Sequence, residues 1–225
     1  GWHTLDSLFQ SMPIESSQLP VIDPNSPVRF LISSGTESDP KWIAYSHNAL
    51  AGGRGRFLQR IHPDGSTFRG LYLMPLGTAF GSTATFGILS WLGGSVLVLR
   101  QFDVAIAIRA TAELKPTHIF GVPTMFQRMA ADPVLAETDT SSLIAIISGG
   151  AKIDEASIRR CTEAFKCGFI SLYGSADGVN CHTTLEDSLE IILHKTGRPN
   201  PDVCSIKIVD DYKQDVARGC IGEVA

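Results

Sequence analysis

Short apolar runs alternate along this chain with longer stretches of mixed polarity. The apolar runs are rich in Ile, Val, Leu, Phe and Tyr and are bounded by Gly, Pro or Ser, which is typical of buried strands. They cover residues 29–33, 70–75, 95–99, 118–122, 145–148, 169–173 and 205–209. This alternation predicts an α/β fold with a mostly parallel sheet flanked by helices.

The stretches between the strands predict five helices. They cover residues 46–60, 82–92, 103–114, 123–131 and 154–165. Asp103 and Asp154 stand where N-cap residues belong, and Ser46 is a candidate cap for the first helix. Ligands of parallel sheets bind at the carboxyl ends of the strands, so functional residues are sought in the loops that follow them.

Composition narrows the possible functions. The chain has 225 residues, enough for one large domain or two small ones, and the proline-rich residues 1–27 are predicted to be a linker or approach segment. A net charge of -4 without a basic run argues against nucleic acid as a partner. No apolar run is long enough to predict a membrane span. Five cysteines without C-x-x-C spacing argue against a zinc site and predict a reducing, cytoplasmic location.

The first candidate functional loop, residues 33–41, follows the predicted strand 29–33. It contains four hydroxyl side chains, one glycine and Lys41. Small residues let backbone N–H groups converge on an anion, and lysine adds a point charge. The loop is a candidate phosphate-binding segment without Walker spacing, and an ordinary polar turn is the alternative.

Two further candidate loops follow the predicted strands 145–148 and 169–173. In the first, Gly149, Gly150 and Ala151 would let a flat ligand lie against the backbone. In the second, Tyr173 could stack on a purine and Asp177 could hold a divalent cation through oxygen. The alternatives are a tight strand-to-helix turn and a turn with a core tyrosine at its edge.

In this order the segments resemble motifs of the AMP-forming acyl-CoA synthetase superfamily, the adenylate-forming enzymes. Residues 33–42 resemble its phosphate loop, S-S-G-T-T-G-x-P-K-G, and a Tyr-Ser-His segment follows at residues 45–47. Its G-V-P-T, G-G-A and Y-G-x-T-E motifs resemble residues 121–124, 149–151 and 173–177. Later G-R-P and G-E segments match residues 197–199 and 222–223, so the resemblance covers residues 28–225.

The resemblance implies that ATP and Mg²⁺ are cofactors and that a small carboxylic acid is the substrate. The carboxylate would attack the α-phosphorus, pyrophosphate would leave, and the acyl-adenylate would pass to a thiol or an amine. CoA or the phosphopantetheine of an acyl carrier protein is the expected thiol. The protein would act by positioning the reactants and stabilising charge.

The resemblance also implies roles for individual residues. The β- and γ-phosphates would be held by Ser33, Ser34, Gly35, Thr36 and Lys41, with Thr36 and Lys41 taking part in catalysis. The adenine would be framed by Gly149, Gly150, Ala151, Tyr173, Gly174 and Ser175. Asp177 would stand where the family's glutamate binds Mg²⁺.

The substrate pocket is expected at Thr78, Phe80 and Val122. Thr78 stands about where many relatives have a histidine or another residue that gates the acyl group. No acidic residue occurs between Phe68 and Phe102, and an unpaired buried ammonium group would be costly. We therefore expect an acyl or aryl acid in preference to an α-amino acid.

Several substitutions depart from the family pattern. Glu37 replaces a hydroxyl residue, and Ser38 and Trp42 replace glycines. Ala176 removes a hydroxyl, and Asp177 is one methylene shorter than the usual glutamate. These substitutions support a second hypothesis, in which the chain is a non-catalytic descendant that binds nucleotide or an acyl group without turnover. A third hypothesis is an unrelated α/β nucleotide-binding domain.

The sequence also predicts the extent of the domain and the environments of two histidines. Residues 28–225 are expected to form part of the large adenylation domain, with its N-terminal subdomain and C-terminal lid domain outside this chain. His118 is expected to be a satisfied core histidine. His182 could line the acyl pocket, but a surface position is expected for it.

Overall fold

A seven-stranded sheet organises the fold in this computed structural model, which describes residues 7, 10, 12–32, 40–62, 65–82, 88 and 92–225. The strands are β1 (Pro27–Ile32), β2 (Trp42–Ser46), β3 (Arg69–Tyr72), β4 (Ser95–Val98), β5 (His118–Gly121), β6 (Ala145–Gly149), β7 (Gly168–Gly174), β8 (Asn180–His182), β9 (Arg198–Pro199), β10 (Ile208–Val209) and β11 (Glu223–Val224). The sheet has the order β4-β3-β5-β6-β7-β8-β9. Strands β3 to β7 pair in parallel, and β8 and β9 pair antiparallel.

The helices connect these strands and cover the sheet. They are α1 (Gly55–Ile61), α2 (Val104–Leu114), α3 (Pro123–Ala130), α4 (Pro133–Glu137), α5 (Glu155–Phe165) and α6 (Leu189–His194). A π-helical segment, Asn48–Arg54, leads directly into α1, and a 3-10 turn covers Ser16–Gln18. The predicted fold class, a mostly parallel sheet flanked by helices, is confirmed. None of the helices in these ranges combines the length and the apolar character needed to cross a membrane.

Two predicted strands form but lie outside the parallel sheet. The predicted strand 29–33 is β1, which pairs antiparallel with β2 in a hairpin of its own. The predicted strand 205–209 is the short β10, which pairs antiparallel with β11. The expectation that the phosphate loop leaves a strand of the parallel sheet is therefore wrong, because residues 42–46 supply β1 with a local partner.

Alternation along the central strands places apolar side chains on both faces of the sheet. On one face, Ile119, Ile146 and Phe169 pack in a cluster with residues of α2, α3 and α5. On the other face, Phe120 and Ile147 pack with residues of α1. Strands buried on both faces are expected in a parallel sheet, where near-continuous apolar runs replace alternation with polar residues.

The predicted caps fix where the helices begin. The Asp103 Oδ1 atom accepts a hydrogen bond of 3.0 Å from the Ile106 backbone N–H, and Asp154 Oδ1 accepts one of 2.9 Å from Ser157. The Ser46 hydroxyl accepts from the Ala49 N–H at 3.2 Å, although the segment it caps begins as a π-helix. The predicted helix 82–92 lies mostly outside the described residues. Helices α4 and α6 are too short to show a clear periodicity in the sequence.

His118 is a satisfied core histidine, as expected. Its side chain is fully buried, with Nε2 3.0 Å from the Ile61 carbonyl and Nδ1 2.9 Å from the Thr117 hydroxyl. The ring stacks on Phe68 with a centroid distance of 4.4 Å. These contacts give His118 a structural role on the face of the sheet that α1 covers.

The glycine of the Gly-Arg-Pro segment explains one strict sequence requirement. Gly197 has a φ of +92°, and a Cβ added there would lie 2.0 Å from the His182 carbonyl carbon. The next residue, Arg198, pairs with the buried Asp187 carboxylate at 3.0 Å. Residue 197 must therefore be glycine both for its backbone conformation and for its close approach to β8.

We predict that Gly197→Ala destabilises the chain far more than Gly219→Ala. Gly219 has a similar φ of +95°, but a Cβ there would meet no atom within 4 Å. The strained conformation costs about 1–3 kcal/mol in both variants, and overpacking adds roughly 1–3 kcal/mol in Gly197→Ala alone. Urea denaturation of both variants measures the difference, and equal losses of stability would contradict the close packing at Gly197.

Candidate functional site

Two of the three candidate loops meet at the carboxyl edge of the parallel sheet. Strands β5, β6 and β7 are paired in register, with Gly121 opposite Ser148 and Ser148 opposite Ser171. The residues that follow these positions therefore emerge side by side. This register brings together the G-V-P-T, G-G-A and Y-G-S-A-D segments, which are far apart in the sequence.

A cavity of about 560 Å³ lies between these loops and the helices α5 and α6. Four of the residues predicted to frame adenine line it: Gly150, Ala151, Tyr173 and Gly174. Tyr173 is 45% exposed at the cavity and carries an aromatic ring of the kind that stacks on flat ligands. Gly150 has a φ of +82°, which lets the chain turn sharply after β6.

The other two predicted frame residues, Gly149 and Ser175, do not line this cavity. Gly149 is fully packed, and a Cβ there would lie 3.1 Å from both the Phe80 ring and the Leu172 carbonyl oxygen. Its role in the fold is to let β6 and Phe80 approach closely. The N–H of Ser175 donates to the Val179 carbonyl at 3.0 Å in the turn after β7.

Sequence reasoning missed several residues of the cavity. Ser171 on β7 is one of them, and it lies opposite Ser148, the residue just before the predicted glycine loop, which also lines the cavity. The period-2 alternation of β7 was the available signal, because it places Ser171 on the same face as Tyr173. The cations Lys152 and Lys195 also line the cavity, and Lys195 follows α6, which had not been predicted.

Two of the predicted substrate-pocket residues, Phe80 and Val122, lie beside the glycine loop. The Phe80 ring packs against Gly149, and Val122 Cγ1 would lie 3.5 Å from a Cβ added at Gly150. The Thr78 hydroxyl donates to the Pro75 carbonyl at 3.0 Å and accepts from the Gly81 N–H at 2.9 Å. Thr78 thus holds its own turn in shape, while Phe80 and Val122 contact the loop next to the cavity.

The hairpin β1–β2, whose strands flank the predicted phosphate loop, contacts the loops at this edge. Ser33, Ser34, Gly35 and Thr36 lie outside the described residues, but both strands that flank them are described. The Tyr45 hydroxyl on β2 donates a hydrogen bond to the Ala176 carbonyl, in the turn after β7. Arg29 on β1 donates to the Leu76 carbonyl at 3.4 Å, and Lys41 is exposed just before β2.

Asp177 lies in a second cavity, of about 640 Å³, on the hairpin side of the same turn. Tyr45, Phe57 and Asn180 also line this cavity. Among the described residues, no group of three His, Cys, Asp or Glu side chains could hold a metal ion. Asp202 also lines this cavity, and one or two exposed carboxylates fit Mg²⁺, because that ion keeps several waters and is bound together with substrate phosphates.

The surface position expected for His182 is wrong. The side chain is 1% exposed, and its ring packs edge-on against Phe57 with centroids 4.7 Å apart. Burial lowers the pKa of His182, and the charges of Arg60 and Arg198 act in the same direction. The Nδ1 bond of 3.0 Å to the Thr183 carbonyl and the Asp187 carboxylate oppose this shift only in part. The pairing of β8 with β7 opposite Leu172 explains the burial.

All five cysteines are free thiols. Burial raises the pKa of Cys161 to about 11 and that of Cys167 to about 12. Burial also raises the pKa of Cys181. Protonated thiols are poor nucleophiles, so these three cysteines have a packing role.

Comparison with known proteins identifies the family. A model of the family described as "AMP-binding enzyme" matches residues 4–225. The chain belongs to this family. It is 31% identical over 199 residues to the vibriobactin-specific 2,3-dihydroxybenzoate-AMP ligase of Vibrio cholerae serotype O1, covering 88% of this chain and 36% of that protein. It is 27% identical over 228 residues to the indoleacetate–CoA ligase of Aromatoleum aromaticum, covering 100% of this chain and 44% of that protein.

Solved structures agree with this assignment. The amide bond synthetase McbA from Marinactinospora thermotolerans matches at 26% identity with a TM-score of 0.76, covering 87% of this chain and 39% of that one. ATP-bound MatB from Rhodopseudomonas palustris matches with a TM-score of 0.78 at 20% identity, covering 90% of this chain and 40% of that one. At this identity the match shows that the two chains share a fold. The chain therefore spans about two fifths of the length of such relatives. The family resemblance inferred from the motifs is confirmed.

We predict that His182 makes the chain sensitive to acid. The unfolded state takes up a proton near pH 6.5 that the folded state does not, so stability is present above that pH and is lost as the pH falls below it. Denaturation between pH 5 and 7.5 measures this loss, which His182→Gln should reduce. His194→Gln, at an exposed position, is the matched control for removing an imidazole. An unchanged pH dependence in His182→Gln would contradict the assignment.

Proposed function

We propose that this chain forms the nucleotide-binding core of a ligase that activates a carboxylic acid with ATP. The acid would become an acyl-adenylate with release of pyrophosphate, and the acyl group would pass to CoA or to a carrier-protein thiol. The family and the relatives' own names, an acid–AMP ligase and an acid–CoA ligase among them, support this reaction class.

One observation carries the proposal. The base cavity at Tyr173, the Asp177 turn and the hairpin that bears Lys41 occupy neighbouring positions along one edge of the sheet. The Tyr45 bond to Ala176 ties the hairpin to the turn between the base cavity and Asp177. A nucleotide with its base on Tyr173 would thus extend its phosphates toward groups suited to hold them.

Each group has a defined task in this proposal. Gly150, Ala151, Tyr173 and Gly174 would bind the base, with Ser171 as an added hydroxyl at the cavity wall. Residues 33–36 and Lys41 would donate hydrogen bonds to the β- and γ-phosphates. Mg²⁺, when bound at Asp177, supplies positive charge that offsets the charge of the phosphates. A carboxylate nucleophile needs no general base, so the protein's work is orientation and charge stabilisation.

The acid is proposed to be acyl or aryl and to lie near Phe80 and Val122. Phe80 contacts Gly149 and Val122 lies beside Gly150, in the loop that is proposed to frame the base. The segment around Thr78 lacks an acidic residue to meet an ammonium group, which argues against an α-amino acid. Residues 28–225 would then be part of a larger adenylation domain.

A non-catalytic descendant is the second candidate, and one structural observation favours it. Asp177 is exposed in the second cavity, whereas the base frame lines the first, so metal and base are not held in one enclosed pocket. Together with Glu37 and Ala176, this arrangement would suit a protein that binds nucleotide without turning it over.

Acid-dependent exchange of pyrophosphate into ATP distinguishes the two candidates. We expect the protein, expressed at its full encoded length, to exchange label with one class of fatty or aryl acid and not with α-amino acids. Folded protein that binds ATP but exchanges with no acid would establish the non-catalytic alternative.

Lys41→Met should then lower the exchange rate by about 100-fold or more, because it removes a charge aimed at the phosphates. Lys207→Met is the matched control, since Lys207 pairs with Asp215 beside the small β10–β11 hairpin. A loss of similar size in both variants would contradict a specific role for Lys41.

A further inference from the structure

The cavity beside Tyr173 extends well beyond the residues proposed to frame adenine. Its volume of about 560 Å³ falls in the range of about 300–1,000 Å³ in which pockets bury a drug-sized ligand, and a bare purine is much smaller. Beyond the frame its apolar lining includes Ile153, Ile158, Ile192 and Leu193, and Ser148, Ser171, His194 and Thr196 line it as well. The base would therefore leave part of an apolar space unfilled.

This space lies between two helices. Ile158 belongs to α5 and is 1% exposed, whereas Ile192 and Leu193 belong to α6 and pack partly buried against the same apolar cluster. The cationic residues of the cavity, Lys152 and Lys195, are exposed and so stand at its mouth. The inner wall carries no charge, which makes it suitable for an apolar group.

The orientation of the nucleotide follows from the positions of the phosphate groups. The chain runs from Tyr173, at the cavity, to Asp177, on the hairpin side, within a single turn. A nucleotide on Tyr173 would direct its ribose and phosphates toward that side. The ribose is attached at N9, on the opposite side of the purine from N6, so N6 would point toward α5 and α6.

We propose that the space between α5 and α6 is a subsite for an alkyl or aryl group attached to N6 of an adenine nucleotide. This subsite rests on the proposed function, because the proposed ATP site supplies the orientation of the base. It adds to that function a tolerance for N6-substituted nucleotides, which a cavity closed around bare adenine would exclude.

Calorimetric titration of the protein at its full encoded length with AMP and with N6-benzyl-AMP tests the proposal. We expect N6-benzyl-AMP to bind at least as tightly as AMP, because its ring would be buried against Ile158, Ile192 and Leu193. The affinity for AMP reports on binding at the proposed nucleotide site, and the ratio of the two affinities reports on the contribution of the subsite.

Two matched variants test whether the benzyl group binds between α5 and α6. Leu193→Trp should fill the subsite and lower the affinity for N6-benzyl-AMP at least tenfold relative to AMP. Leu189→Trp makes the same change on the same helix at a position that is 45% exposed and does not line the cavity, so the ratio should not change. An unchanged ratio in Leu193→Trp would place the benzyl group elsewhere and overturn the proposal.

The remaining outcomes separate the subsite from the proposed function. Binding of AMP together with at least tenfold weaker binding of N6-benzyl-AMP would overturn the subsite and leave the nucleotide site in place. If folded protein bound neither ligand, both the subsite and the nucleotide site would be overturned.

Discussion

The parallel register of β5, β6 and β7 is the constraint on which the site depends. Parallel pairing makes the three strands end at one edge, and the register Gly121–Ser148–Ser171 sets Val122, Gly150 and Tyr173 beside each other. Specific partners fix this register, because a slip of β5 by one residue would turn His118 away from the Ile61 carbonyl and the Phe68 ring. Core packing thus determines which backbone groups meet a ligand.

The hairpin β1–β2 is not part of the seven-stranded sheet and is held beside it by other contacts. Hydrogen bonds from Arg29 to the Leu76 carbonyl and from Tyr45 to the Ala176 carbonyl help to hold it, and Leu31 and Tyr45 pack in a cluster with Ala79. Both acceptors lie in segments that follow strands of the sheet. The strands that flank the predicted phosphate loop are therefore held by the loops after β3 and β7, so a shift of these loops would also move the hairpin.

The sequence predicted the central strands, the caps at Asp103 and Asp154, and the small-residue loops that follow β6 and β7, because each depends on local pattern. It could not predict that β1 lies outside the parallel sheet. Local propensity predicts that residues 27–32 form a strand but does not decide whether that strand pairs with the sheet or with β2. The burial of His182 and the two-helix cavity likewise depend on β8 and on α6, which are too short to show periodicity. Residue roles at the phosphate loop stay predictions.

Hydrogen exchange with and without ATP and Mg²⁺ is the most direct measurement of the central claim, that three segments form one nucleotide site. The account predicts slower amide exchange in residues 42–46, 145–151 and 171–178 together when ATP is bound, because the ligand would contact or tie down all three. Slowing confined to residues 200–224, or absent from both 145–151 and 171–178, would contradict the account.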